Sequence, residues 1–124
     1  RFAMVTCFAP ATDCTTGDGK GMLLIPAAMN GMNLVYGAVG IGTTGVGAGS
    51  MDVQFRRVRA GSSVDMLSTK ITIDNTEKTS TTAATAPVVS DAALADDAEI
   101  TVDIDQVGDG TAKGLKVTLL GYRS

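Results

Sequence analysis

The chain has 124 residues, of which 44% are hydrophobic and only 4% aromatic, and its formal net charge is −3. This length predicts one domain whose core is built from Val, Leu, Ile, Met and Ala side chains. The acidic balance argues against a nucleic-acid groove, and no apolar run approaches the roughly 18 residues of a membrane span. The chain has no histidine, so a zinc site would need other ligands, and none of these has the spacing of such a site.

Short apolar segments separated by Gly, Asp, Asn, Ser and Thr recur along the chain, which is typical of strands joined by turns. We therefore predict an all-β fold, a single jelly-roll-like β-sandwich over residues 1–124 with mostly antiparallel strands. Eight strands are predicted, at 2–8, 21–25, 33–41, 51–59, 64–67, 70–74, 98–105 and 115–120.

Three segments, two of which overlap predicted strands, receive a further interpretation. Residues 1–15 are interpreted as an N-terminal arm, and the Thr- and Ala-rich residues 76–97 as a long surface connection. Within the latter, "SDAALADDAE" at 90–99 fits either a helix of two or three turns or an extended loop.

The N-terminal region carries the two cysteines, Cys7 and Cys14. Two cysteines alone do not define a disulfide framework, so two separate thiols are preferred over a local bridge across "CFAPATDC". The first residue, Arg1, is not an initiator methionine, which indicates a processed, trimmed or incomplete chain.

Two glycine-rich stretches contain a lysine, "TTGDGKGMLLIP" at 15–26 and "GDGTAKGLKVTLL" at 108–120. A phosphate-binding loop needs Ser or Thr directly after Gly-Lys and then a helix, whereas Gly21 follows Lys20 and a strand is predicted next. The dipeptides at 18–19 and 109–110 are therefore predicted to be turns, with glycine supplying a positive φ.

The last two predicted strands alternate apolar and polar residues with a period of two. Residues 99–105 place Ile100, Val102 and Ile104 on one face and acidic residues on the other. Because only the turn-rich "GDGTAKG" separates them from 115–120, the two strands are predicted to form a hairpin with a solvated charged face.

Other residue groups with chemical potential have weak patterns. Asp103, Asp105 and Gly108 match part of a calcium loop, but Val107 and Gly114 stand where further ligands are required, so a solvated acidic strand is preferred. In "QFRRVR", Arg56 and Arg57 point to opposite faces of a strand and are expected to form ordinary ion pairs. Neither nucleophile–base pairs nor cofactor motifs are recognisable, so we expect neither an enzyme nor a bound cofactor.

Two apolar stretches raise the question of association. The methionines of "MLLIPAAMNGM", Met22, Met29 and Met32, suit either a binding surface or core filling, and core filling is preferred. The glycine-rich residues 37–50 carry Val39, Ile41 and Val46, which are expected to be exposed in an isolated monomer. These three residues are therefore the predicted subunit contact, with 76–97 as the alternative contact segment.

Segments along the chain resemble a β-rich domain recurrent in structural proteins of tailed bacteriophages. They are "ATDCTTGDGKGMLLIPAAMNGMNLV", "VDMLSTKITIDNTEKTS" and "AEITVDIDQVGDGTAKGLKVTL", in that order between about residues 11 and 120. That domain occurs as small virion proteins and as a module of fibre-like proteins. The resemblance implies a β-sandwich virion component without catalysis, and it supplies no functional residues.

The preferred function is a non-enzymatic capsid decoration or cement subunit that stabilises the phage shell in the virion, after assembly in the host bacterial cytoplasm. Expected partners are further copies of the chain, as a homotrimer, and the major capsid protein or other virion proteins, with no nucleic acid and no membrane. A ring of three is favoured because heterologous contacts must close to avoid filaments. The alternative is a head or tail fibre or spike domain that binds a cell-surface glycan or receptor, although few aromatic side chains are present to stack on sugars.

Overall fold

The computed structural model describes residues 2–6, 14–25, 27, 30–41, 49–74, 77–94, 98–108 and 113–122. These parts contain ten strands and one short 3₁₀ helix, Ser80–Thr82. The strands are β1 (Phe2–Thr6), β2 (Gly17–Leu24), β3 (Asn33–Gly40), β4 (Met51–Arg59), β5 (Ser62–Asp65), β6 (Leu67–Thr69), β7 (Ile71–Ile73), β8 (Val88–Val89), β9 (Glu99–Val107) and β10 (Lys116–Tyr122).

The strands form two main antiparallel sheets. The first has the order β1-β10-β3, and the second has the order β2-β9-β4-β5, with β7 also paired to β4. A small third sheet joins β6 to β8. The predicted all-β, mostly antiparallel fold is thus confirmed, while the jelly-roll-like sandwich order stays a prediction.

The two main sheets share one hydrophobic core. Val39 on β3 and Val117 on β10 are buried in the same cluster as Val53 and Phe55 on β4. A Cβ atom on Gly37 of β3 would collide with the Phe55 ring, so the close approach of the ring to this strand requires glycine there. The small residues of β3 therefore serve packing between the two sheets.

The predicted hairpin between the last two strands is wrong. β9 lies between β2 and β4 in the second sheet, whereas β10 lies between β1 and β3 in the first. The apolar residues of both strands are buried as expected: Ile100, Val102 and Ile104 in β9, and Leu115, Val117 and Leu119 at β10. Both apolar rows line the shared core, but from different sheets, and a period of two does not reveal which sheet a strand joins.

The polar face of β9 is also less solvated than predicted. Thr101 is 3% exposed and Asp103 is 4% exposed, as buried as the apolar residues beside them. β9 has strands on both sides, and Arg56 of β4 and the start of β2 lie over this part of its polar face. Only the later residues of the strand, such as Asp105, are exposed as expected.

Residues 77–94, the described part of the predicted surface connection, run beside β3. Leu34 donates its backbone N–H to the Ala92 carbonyl at 2.7 Å, and Leu94 is buried in the core. The segment also contains β8, which sequence analysis missed. It contains no helix over 90–94, so the helical alternative is wrong there.

The N-terminal strand β1 pairs with β10 along its whole length. Residues 2–6 are therefore part of the first sheet, and the interpretation of 1–15 as an arm is incorrect for them. Cys7 lies outside the described residues, as does the rest of 7–13, so the thiol-or-bridge alternative stays as the sequence left it. Cys14 is buried.

Candidate interaction surface

The first glycine-rich stretch forms an irregular start of β2. Gly17 lies opposite Ile104 and Gly21 lies opposite Val102, so four steps along β2 match two steps along β9. The additional residues form a bulge, in which Gly19 has a φ of +65°. The positive φ was predicted correctly, but it belongs to a bulge within a strand rather than to a turn before one.

The bulge binds a carboxylate from its own chain. The Gly19 N–H donates to Oδ1 of Asp103 at 2.8 Å, and the Thr101 hydroxyl donates to the same oxygen at 3.0 Å. The Arg56 guanidinium lies between Oδ2 of Asp103, at 3.5 Å, and Oδ2 of Asp18, at 3.6 Å. The loop therefore brings together two motifs that the sequence analysis treated separately, and its amide is occupied by an internal anion.

The lysine of this stretch is engaged locally. Lys20 Nζ donates to the Thr15 hydroxyl at 3.0 Å, and the chain continues as a strand, without the helix N-terminus of a phosphate-binding loop. The geometry therefore favours the structural interpretation of "GDGKG". The corresponding dipeptide at 109–110 lies outside the described residues.

The two aspartates of the partial calcium pattern each pair with a different basic side chain of the protein. Asp103 pairs with Arg56, as described above. Asp105 forms an ion pair with Lys70, whose Nζ lies 2.7 Å from Oδ2 of Asp105. The hydrogen bond to Asp105 raises the pKa of Lys70 above its usual value, against an opposing effect of desolvation. In the described parts of the chain, no three potential metal-ligating side chains form a cluster.

The predicted subunit-contact residues lie inside the protein. Val39 is 3% exposed and Ile41 is 6% exposed, so the expectation that they would be exposed in a monomer is wrong. The reason is the segment at 77–94: the Ser80 hydroxyl accepts the Val39 N–H at 3.0 Å, and the Lys78 carbonyl accepts the Ile41 N–H at 2.9 Å. The third residue, Val46, lies outside the described residues.

The most exposed apolar side chains of the described residues lie instead on β2. Met22 is 61% exposed and Leu24 is 63% exposed, and both point to the same face because they are two residues apart. Core filling was the preferred interpretation for Met22, which is wrong, whereas it is correct for Met32, which is 2% exposed. Met29 lies outside the described residues.

The signal that could have identified this surface is weak. "GMLLI" is a continuous apolar run, and such a run predicts a strand buried on both faces at least as well as an exposed edge. Only the tertiary structure shows that β2 is at the end of the second sheet and that Met22 and Leu24 lie on an exposed face of it.

A second surface feature is a cavity of about 260 Å³ at the end of the β4–β5 hairpin. It is lined by Arg57, Arg59, Ser62, Val64 and Ala93. The Arg57 guanidinium binds both carboxylate oxygens of Asp91, at 2.5 and 3.0 Å, and also donates to the Ala93 carbonyl. This ion pair, like that of Arg56, agrees with the prediction of ordinary ion pairs for the two arginines.

Among the described residues, no helix is long and apolar enough to cross a membrane. No protein-family model matches the chain, and neither the curated proteins nor the solved structures include a significant match.

Proposed function

We propose that the protein is a non-enzymatic structural component of a tailed-bacteriophage virion, a capsid decoration or cement subunit. The sequence resemblance supports this function, and the surface observation that carries it is the exposed apolar edge of β2. Met22 and Leu24 expose most of their side chains on a small all-β domain, which is the chemistry of a contact surface rather than of a reaction site.

The proposed mechanism is an increase of buried area at the shell. A decoration subunit that lies across contacts between shell proteins adds a small interface at each of many equivalent positions. Weak contacts of this kind act together, because each bound subunit holds the next contact at a high effective concentration. Such a role needs a rigid fold with exposed contact edges.

Self-association as a homotrimer is part of the proposal, but the residues expected at the subunit contact differ from those predicted from the sequence. Val39 and Ile41 are committed to the core of the single chain, so they are unsuited to the subunit contact. The exposed outer residues of 77–94, among them Thr81 and Thr85, belong to the alternative contact segment.

The alternative function, a fibre or spike domain that binds a glycan or receptor, has less support. The cavity beside the β4–β5 hairpin has no aromatic residue among its lining residues, and aromatic faces are the usual platform for sugars. We therefore keep it as the second proposal.

Electron cryo-microscopy of the phage particle that encodes this chain tests the function directly. We expect copies of this fold on the outer surface of the capsid, at equivalent positions between shell subunits. Finding it only in a tail fibre would favour the alternative, and its absence from the particle would contradict both. Light scattering of the purified protein tests the trimer separately.

A further inference from the structure

The side of β2 that faces away from β9 has the geometry of a strand-acceptor site. The Ile25 N–H donates to the Ala98 carbonyl at 2.8 Å, which makes Ile25 and Ala98 a hydrogen-bonded pair of the β2–β9 ladder. Such pairs alternate in antiparallel ladders, so the N–H and C=O groups of Met22 and Leu24 point away from β9. In the described parts of the chain, nothing pairs with this side of β2.

Met22 and Leu24 thus offer a partner strand two kinds of interaction. Their main-chain groups offer hydrogen bonds along the strand, and their side chains offer an apolar surface on the outer face. Natural sheets usually protect an edge with a charge, a proline or a bulge. In β2 the bulge ends at Gly21, and the edge residues 21–24 carry no charge.

The charges around this edge define the chemistry of its occupant. Glu99, which pairs with Leu24 across the ladder, has no ion-pair partner among the described residues. Asp18, whose side chain is 65% exposed, shares the single guanidinium of Arg56 with Asp103. Lys20, which precedes the edge, bonds the neutral Thr15 hydroxyl and adds a second cation. The three carboxylates Asp18, Asp103 and Glu99 therefore exceed the two cations Arg56 and Lys20 by one charge, and this excess is complementary to a segment that carries Lys or Arg.

A second copy of the chain fits this edge poorly. An isologous β2–β2 contact would bring two acidic edges together. Charge therefore favours an extended segment with basic residues over a dimer through this edge.

We propose that the edge of β2 at residues 21–24 accepts an extended polypeptide strand from a partner protein. The added strand has apolar residues at alternate positions, which lie beside Met22 and Leu24, and a Lys or Arg that approaches Glu99. This inference deepens the proposed function, because an extended arm of a shell protein is then the segment that the subunit captures. Binding relies on main-chain hydrogen bonds for affinity and on alternate side chains for specificity.

Selection from a library of random nine-residue peptides tests the site without any phage component. Peptides selected on the purified protein are expected to alternate apolar residues and to contain Lys or Arg. Leu24→Asp should weaken their binding at least tenfold. The matched control Val88→Asp makes the same change at an apolar side chain that is 50% exposed on β8, and it should leave binding within twofold.

Amide hydrogen exchange gives a second readout of the strand pairing. The Met22 and Leu24 amides should exchange at least tenfold more slowly in the peptide complex, because they gain acceptors. The proposal is overturned by a library without binders, by peptides that protect other amides, or by equal losses in the two variants. A dimer of the free protein that Leu24→Asp dissociates would assign the edge to a second copy instead. Absence of the protein from a virion would refute the proposed function but leave this peptide result standing.

Discussion

The outer strands β3 and β2 illustrate two fates of a sheet edge in one small domain. The edge of β3 is covered: residues 77–94 form bridges to it at both ends, Asn33 with Ala93 and Gly40 with Thr79. The edge of β2 has no such cover in the described chain, and its apolar side chains are exposed. Among the described residues, the glycine-rich strand is thus covered and the apolar strand is not.

The difference shows that local composition is a poor guide to which edge is available. β3 looked unprotected because it is rich in glycine, but a segment some forty residues further along the chain supplies its partners, as the hydrogen bond between Ser80 and Val39 shows. β2 looked like an ordinary core strand because its residues are apolar. Both are terminal strands of their sheets, so what decides exposure is whether another segment of the chain covers the edge, which is a property of the tertiary structure.

The largest expected effect contrasts an apolar residue beside the covered edge with one on the open edge. Ile41→Asp should destabilise the fold by about 4 kcal/mol, because it places an unpaired charge at a site that is 6% exposed. Leu24→Asp should change the free energy of unfolding by only about 0.5 kcal/mol. Urea denaturation of the two variants measures both values.

Equal losses of stability in these two variants would contradict the distinction between the edges. Val88→Asp serves as a further control, since Val88 is 50% exposed and lies on neither strand. It should behave like Leu24→Asp.

The next effect tests how β3 packs against the second sheet. Gly37→Ala places a methyl group against the Phe55 ring, with Ile71 also in close contact, so the ring has to shift. We expect a loss of about 2 kcal/mol, typical of an overpacked core. Gly61→Ala is an informative contrast, because its Cβ would have open space but the backbone has a φ of +82°.

Thermal denaturation, monitored by circular dichroism, compares the stability of the two glycine variants. The Gly37 variant should lose more stability than the Gly61 variant, whose cost comes only from its backbone conformation. The reverse order would show that the two sheets tolerate separation at this point.

A smaller effect is expected from the cover of β3 itself. Ser80→Ala removes the hydroxyl that accepts the buried Val39 N–H, which is left without this acceptor. The expected loss is about 1.5 kcal/mol. Faster exchange of the Val39 amide in the variant is the specific sign, and unchanged exchange would mean that the cover does not depend on this bond.

The sequence predicted the strands well but not their partners. The span 51–59 was predicted with its exact limits as β4, and 33–41 is within one residue of β3. Hydrophobic periodicity reports which residues face a core, and that information is local. The predicted hairpin between β9 and β10 was wrong because strand pairing depends on contacts between residues distant in sequence. The period of the hydrophobic pattern carries no information about those contacts.

The candidate site shows the same limit. The positive φ of Gly19 could be predicted from turn chemistry, but its hydrogen bond to Asp103 links residues 84 positions apart. Likewise, Asp103 looked solvated because it alternates with apolar residues, and it is buried because Arg56 and the bulge lie over it. The alternation of residues along a strand predicts which face a side chain points to. Only the tertiary structure shows what covers that face.

The smallest expected effect concerns the ion pair that ties the covering segment to β4. Asp91, near the end of 77–94, receives two hydrogen bonds from Arg57, and these hold the pKa of Asp91 below its usual value despite partial desolvation. A lowered pKa in the folded state stabilises the fold above the unfolded pKa, about 4, and this stabilisation is lost as the pH falls through the folded value. Asp91→Asn should therefore cost under about 1 kcal/mol at pH 6, and the difference from wild type should shrink towards zero near pH 2. Urea denaturation of both proteins across this range cancels the other carboxylates, which titrate in each. A difference that stays constant with pH would show that Arg57 holds the segment through the shape of its hydrogen bonds rather than through charge.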